Sequence, residues 1–320
     1  MSQRARAIVF ANHDVGVRCL SVLLAAGVDV ALVVTYADDP GDSVAFASVA
    51  QLASARGLNV AFPASAAEPE FIERIATLAP DFIFSFYYRQ LLGPAILGAA
   101  KRGALNMHGS LLPSYRGRAP VNWAVIRGET HTGATLHYMT EKADAGDIVD
   151  QQAVPILPDD TAFEVFNKIT VAAEIVLWRT LPALIAGCAP RKSQDAAAAT
   201  YFGRRRPEDG RIDWNAGAKT IHDLVRGVAP PYPGAYTLIG TRKLRILRTM
   251  RQSGRARRGS RPALYVDNGA CFVDCTDGGV LRVLEADLDG QPIAPAAIAT
   301  VLGTDVWFPL NERGTQEMIG

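Results

Sequence analysis

The chain has 320 residues, enough for one large domain or two ordinary ones, and enough to bury a core without a disulfide or metal staple. Hydrophobic residues make up 49% and charged residues 20%, a globular balance that excludes a disordered or fibrous chain. Lys and Arg number 33 against 32 Asp and Glu, a formal charge of +1, which excludes a globally basic nucleic-acid binder although the charge is unevenly placed.

The amino-terminal "MSQRARAIVFA" runs directly into a strand, without the long apolar region and small-residue cleavage site of a secretory signal. No apolar run reaches the roughly 18 residues of a membrane helix. The expectation is a cytoplasmic protein without membrane insertion. Cys19, Cys188, Cys271 and Cys275 lack metal-ligand spacing, and "CFVDC" reads as a strand. All four are expected to be reduced, buried thiols.

Strand and helix signals then alternate. "AIVFA" (residues 7–11) is a continuous apolar run, and "VGVRCLSVLLAAG" follows with helical spacing and a Gly stop. "DVALVVTY" (29–36) is a second strand, and "SVAFASVAQLASARG" (43–57) a second helix. "LNVAF", the helix "EFIERIATLAP", "DFIFSF" (81–86), the helix "LGPAILGAAKRG" and the strand "ALNMH" (104–108) complete the series. Such βα repeats predict a Rossmann-like parallel sheet covered on both faces, with ligands bound beyond the carboxyl ends of its strands. "ATLHYM" and "IVDQQAVPI" read as paired strands around the loop "TEKADAGD", and residues 159–187 as one long amphipathic helix opened by an Asp/Thr cap.

After Gly187 the composition turns small and polar. We place a first domain at 1–188, a linker at 189–209 and a second domain at 210–320. In the second, the helix "NAGAKTIHDLVRGVA" and the turn "PPYPGAY" precede five short strands spaced by Gly, Asn and Asp, which predicts a smaller β-barrel-like, OB-like domain.

Asn106 and His108 end the fifth strand and, two residues apart, face the same way. An Asn amide suits a developing oxyanion, a His suits proton transfer near neutral pH, and a nearby Asp raises the pKa of such a His. Together they make a plausible set for acyl transfer. On periodicity alone, His108 is equally readable as a solvated or internally satisfied strand-end residue. Asn12 ends the first strand on the same rim, where "ANHDVG" replaces the G-x-G-x-x-G of a nicotinamide site. G-x-S-x-G, P-loop and H-E-x-x-H motifs are absent, so hydrolase, NTPase and zincin readings lose support, and no metal is expected.

The segment "NMHGSLLPSYRGRAPVNWAVIRGETHTGATLHYMTEKADAGDIV" resembles the folate-dependent formyltransferase family, with its N-x-H, S-L-L-P-x-Y-R-G and A-D-x-G-D/P-I motifs. "GRIDW" and "YPGAY" resemble second-domain motifs of its longer members. The resemblance implies that 10-formyltetrahydrofolate gives its formyl group to an amine. Asn106 would stabilise the transition state, His108 would move the proton and Asp144 would raise the pKa of His108. "VFANHDVG", "FSFYYRQLL" and "TYFGRRRPEDG" resemble the branch that formylates the 4-amino group of UDP-4-amino-4-deoxy-L-arabinose in lipid A modification and polymyxin resistance. On that match Gln90, Leu91, Leu92, Arg118, Thr140, Glu141, Lys142, Ala143 and Asp144 would line the folate site.

Asn12, Arg204, Arg205, Tyr232 and Pro233 are candidates for the UDP-amino sugar, the arginines because guanidinium forks suit phosphate oxygens. Arg206 continues the same cluster, and linker arginines in solvent are the alternative reading. The pathway would need a separate NAD-dependent decarboxylase. Another amino-sugar nucleotide and methionyl-tRNA are the alternative acceptors. Against tRNA stand the short stretch after Tyr36, the first-strand motif and the near-neutral charge. For it stand nine basic residues and no acidic one between 242 and 261, a run that could grip phosphates or simply face solvent.

Overall fold

Continuous apolar pentads can bury both faces only inside a sheet covered by helices. The computed structural model, which describes residues 4–37, 46–259 and 262–301, places them there. The start of the predicted second helix (43–45), part of the short stretch after Tyr36, and Arg261 lie outside the described residues. Two compact units are present. The first comprises residues 1–120, 131–155 and 166–203, and the second 121–130, 156–165 and 204–320.

In the first unit, β1 (Arg6–Ala11), α1 (His13–Ala25), β2 (Asp29–Val34), α2 (Val49–Ala55), β3 (Val60–Ala61), α3 (Pro69–Thr77), β4 (Phe82–Phe86), α4 (Pro94–Ala99) and β5 (Gly103–His108) follow the predicted alternation. The short β6 (Arg116–Gly117) comes next, then β7 (His131–Tyr138), β8 (Ile148–Pro155) and most of the long α6 (Ala162–Ala186), while α5 (Pro120–Ile126) falls, after its first residue, in the second unit. The strands form a seven-stranded sheet of order β3-β2-β1-β4-β5-β7-β8. Its first five strands run parallel, whereas β7 and β8 join antiparallel as the predicted pair. Ile8, Phe10, Leu32, Val34, Ile83 and Ala104 from neighbouring strands pack with Phe71, Ile75 and Ile96 from the helices, a core closed on one face of the sheet. Burial of each such large side chain stabilises the fold by about 1.5–3 kcal/mol.

α6 begins at a reciprocal cap, in which the Thr161 hydroxyl accepts from Glu164 N and the Glu164 carboxylate accepts from Thr161 N. Among the described residues it is one helix long and apolar enough to match a membrane span by composition, and half of its apolar window is buried within the protein. The two-residue β9 (Tyr201–Phe202) pairs in parallel with β6.

In the second unit, α7 (Ala218–Val228) packs on an antiparallel sheet built from β10 (Ala235–Ile239), β11 (Arg242–Gln252), β12 (Ala263–Asp267), β13 (Ala270–Asp274), β14 (Val280–Leu288) and β15 (Gln291–Ile293). The order β10-β11-β14-β13-β12, with β15 on β14, gives a curled half-barrel sheet. Ile212, Trp214, Ile221, Val225, Leu244 and Leu281 fill its core. Cys19, Cys271 and Cys275 are buried and free as expected, whereas Cys188 is exposed, because it follows the last turn of α6 and no strand covers it.

The basic run occupies β11 and the turn after it. Arg242 pairs with Asp289 at 2.8 Å and Arg245 with Asp287 at 2.7 Å, while Arg255 and Arg258 both reach Asp267. Four of its nine basic residues are therefore paired, with three aspartates, within the unit.

Candidate active site

Strand register builds the site. Ala11 lies beside Phe86, and Phe86 beside Met107, so the residues that follow β1 and β4 share a rim with the end of β5. On the other side of β5, the antiparallel partner of Asn106 is His137 and that of His108 is Thr135. Side chains directly opposite in such a pair are in contact range. The Asn106 amide accordingly lies 3.2 Å from His137 Nε2. The other ring nitrogen of His137, Nδ1, donates to the Tyr138 carbonyl at 2.8 Å. The Asn106 amide nitrogen carries two N–H groups, so its single contact with His137 leaves it an N–H to offer.

Asp144 arrives from the β7–β8 loop at φ +55, a left-handed conformation rare for a residue with a side chain. Its Oδ1 lies 3.5 Å from His108 Nδ1 and 3.6 Å from His137 Nε2, and its Oδ2 accepts from Gly117 N at 2.9 Å. The Nε2 of His108 lies 2.9 Å from the Tyr115 carbonyl. One carboxylate thus gathers both histidines, and Asn106 is one contact away.

Both nitrogens of His108 face acceptors, which favours the imidazolium. Burial opposes it and is the larger effect, so the pKa is lowered from the usual histidine value. Asp144 and the Tyr115 carbonyl pull it up, while His137 and Arg116 push it down. The expected upward pull of Asp144 on His108 is present, and burial outweighs it because a fully enclosed imidazolium loses its hydration. Burial pushes the Asp144 carboxyl up, but His108, His137 and the Gly117 N–H together hold it well below the usual carboxylate range. The pull of His108 on Asp144 acts in full only once that ring is charged.

The other candidates fall in two places. In the first unit, Gln90 accepts from Ala66 N at 2.8 Å and donates to Ala64 O at 3.1 Å, Leu91 is 76% exposed, and Leu92 packs into the core. Thr140 bonds to the Lys142 carbonyl at 2.9 Å, Glu141 and Ala143 are exposed, and Arg118 is exposed with its main-chain N bonded to Phe202 O. Asn12 caps α1 without a side-chain bond, and its buried Nδ2 has no hydrogen-bond partner among the described residues.

In the second unit, Arg205 lies over the Trp123 ring at 5.9 Å, with a buried Nε that has no hydrogen-bond partner among the described residues. Burial lowers its pKa, with Asp209 and Tyr232 opposing. Tyr232 hydrogen-bonds with the Asn122 side chain, whose Nδ2 donates to Gly227 O at 2.9 Å. Arg204 and Pro233 are exposed, and Arg206 is drawn instead into the cap of a short 3-10 turn through Asp209.

Sequence reasoning missed His137, the Tyr115 carbonyl and the Gly117 N–H. His137 stands in the quoted "ATLHYM", and an antiparallel pairing of that strand with β5 in the right register would have found it. The two main-chain groups carry no sequence signal beyond the Gly itself.

Two family models match the chain: Formyl transferase over residues 7–181 and Formyl transferase, C-terminal domain over residues 205–300. Among solved structures, the N-formyltransferase from Helicobacter canadensis, in complex with folinic acid and dTDP-3-aminofucose, is similar with a TM-score of 0.69 at 18% identity. The match covers 90% of this chain and 100% of that one. WlaRD, a sugar 3N-formyl transferase solved with dTDP and 5-N-formyl-THF, gives 0.69 at 17% identity over 88% and 98% of the two chains. HypX from Aquifex aeolicus in complex with tetrahydrofolic acid gives 0.62 at 16% identity over 92% of this chain and 47% of its own. At these identities the solved structures bear on the fold, and the first family model alone spans more than half of the sequence: the chain belongs to the formyl transferase family of enzymes.

Proposed function

We propose that the protein transfers the formyl group of 10-formyltetrahydrofolate to the amine of a nucleotide-linked amino sugar, and more narrowly to the 4-amino group of UDP-4-amino-4-deoxy-L-arabinose. The observation that carries the reaction is the gathering of Asn106, His137, Asp144 and His108 at one strand end. The sugar-nucleotide class is supported by the neighbours named as sugar N-formyltransferases. The uridine nucleotide and the arabinose rest on sequence motifs, and the first two of those neighbours were solved with a dTDP-sugar or dTDP. The partly matched charge of the basic run weakens the case for tRNA.

In this reading the acceptor amine, as free base, attacks the formyl carbon. The remaining N–H of Asn106 meets the oxyanion that develops. His108, neutral because it is buried, turns one ring nitrogen from its acceptor toward the substrate, takes the proton released by the attacking nitrogen and returns it to the folate nitrogen as that bond breaks. A neutral imidazole has one N–H for two acceptors, whereas the charged ring satisfies both Asp144 and the Tyr115 carbonyl. Asp144 remains ionised throughout and steadies the charge. Folate would lie against Gln90, Leu91, the Leu92 main chain, Arg118 and the loop Thr140, Glu141, Lys142, Ala143 and Asp144. Arg205, with its Nε unpartnered among the described residues, is the candidate for the diphosphate; Arg204, Tyr232 and Pro233 complete the second-unit candidates, and Asn12 offers a buried N–H on the catalytic rim.

An acceptor panel tests the assignment. With 10-formyltetrahydrofolate as donor, formylation of UDP-4-amino-4-deoxy-L-arabinose above dTDP-amino sugars and methionyl-tRNA is expected. Preference for a dTDP-sugar would retain the class and overturn the narrower acceptor. Formylation of methionyl-tRNA alone would overturn both.

A further inference from the structure

Residues 194–202 lie some fifty to eighty-five positions after the groups they touch in the first unit. Arg116 is almost fully buried, and its Nε and Nη2 donate to Gln194 Oε1 at 3.1 and 2.7 Å. Its Nη1 donates to the Tyr201 hydroxyl at 2.7 Å. Gln194 Nε2 donates to the carbonyls of Asp144 and Gly146 at 2.9 and 2.7 Å, so both donors and both acceptor positions of its amide are used. The main chain repeats the linkage. Arg116 N bonds Thr200 O at 2.9 Å, Arg118 N bonds Phe202 O at 2.9 Å, and Tyr115 N bonds Thr200 Oγ1 at 2.8 Å. The Tyr115 ring stacks on Phe202 at 4.9 Å.

The two loops joined in this way are the ones that touch His108, through the Tyr115 carbonyl and the Asp144 carboxylate. Each carries a non-glycine residue in the left-handed region, Tyr115 at φ +59 and Asp144 at φ +55. Such conformations cost of the order of 1–3 kcal/mol and persist only when surrounding contacts over-determine them. Residues 194–202 supply several of the contacts that do so here, beside those to Gly117, His108 and His137.

We propose that Arg116, Gln194 and Tyr201 form a positioning clamp that holds the Asp144 and Tyr115 loops against His108, so that this segment is a working part of the catalytic centre. None of the three side chains contacts His108 by hydrogen bond; they act through the loops. The proposal rests on the reading of His108 and Asp144 as the proton-handling pair. The charged and titratable groups around His108 are Asp144, His137 and Arg116, and those around the Tyr201 hydroxyl are Arg116 and Lys142.

The test uses the full chain, with Tyr201→Phe, Gln194→Leu and Arg116→Lys. None of these changes the net charge near His108. Two readouts are taken: the titration of His108 followed by NMR of the histidine-labelled protein, assigned with His108→Gln, and the kcat and KM of formyl transfer across pH. Gln194→Leu should move the His108 titration down by about half a unit or more, because Asp144 loses its anchor. It should lower kcat about tenfold or more while KM for either substrate changes less than about threefold. Arg116→Lys should fail to restore the wild-type profile, since a point charge cannot span Gln194 and Tyr201. Tyr201→Phe removes one oxygen from a half-exposed ring and serves if the other variants do not fold. An unchanged His108 titration in both Tyr201→Phe and folded Gln194→Leu would overturn the clamp. Full activity of His108→Gln would overturn the proton-handling reading, and the NMR titration would still decide whether the clamp sets the geometry around that ring.

Discussion

Burial and charge pull on His108 in opposite directions, and the balance sets the first predictions. Asn106→Ala should lower kcat by roughly a hundredfold or more, and His108→Ala by a similar factor, with the far-ultraviolet circular dichroism spectrum unchanged. Wild-type turnover in either would remove it from the reaction. With neutral His108 as the active form, kcat/KM should rise with pH through a midpoint below the ordinary histidine value of about 6.5. Asp144→Asn removes the carboxylate that raises this pKa, so the acidic limb should move to still lower pH while the plateau falls. A limb that moves to higher pH would contradict the assignment. The alternation of strand side chains made Asn106 and His108 legible as a pair. The net protonation of His108 was not legible, because it depends on enclosure by chain far from it in sequence.

Among the elements, the tightest demand falls on β6. Gly117 has φ +100, and a Cβ there would come within 2.2 Å of the Phe202 carbonyl. Gly117→Ala should therefore separate β6 from β9 and displace the N–H that binds Asp144, with a loss of about tenfold or more in kcat. A variant with full activity and an unchanged structure would show that the pairing is dispensable. The βα alternation, the β7–β8 pair and the long α6 were readable because hydrophobic period and caps are local signals. β6, β9 and α5 were not. Two-residue strands have no period, and their pairing depends on residues more than eighty positions apart. The stretch 189–209, composed like a linker, contributes Gln194 and β9 to the first unit for the same reason.

At the scale of the molecule, each unit encloses a histidine with a lowered pKa. His222 is buried in the second unit between Thr249 Oγ1 at 2.9 Å and Pro158 O at 3.0 Å. Its burial outweighs the upward pull of the Pro158 carbonyl, Asp223 and Asp159, with Arg226 pushing it down as well. A lowered folded pKa means that the unfolded chain binds more protons between that value and about 6.5. Stability contributed by His108 and His222 is therefore complete above about pH 6.5 and is lost as pH falls through their folded values, by up to about 1.4 kcal/mol per pH unit for each. Urea midpoints measured between pH 5 and 7.5 should fall on the acid side, and His222→Gln should reduce that slope. A midpoint independent of pH in this range would contradict it.

Gln194 and β9 also set where the chain can be cut and rejoined. A junction placed after α6, where the helix ends and composition changes, would pair the Asp144 loop of one parent with the Gln194–Phe202 segment of another. Chimeras that exchange the chain after Gly203 should keep the Gln194–Phe202 segment with its own Asp144 loop, and they leave residues 121–130 and 156–165 of the second unit with the first parent. In a diverging lineage, substitutions at Gln194 and Arg116 should then be inherited together.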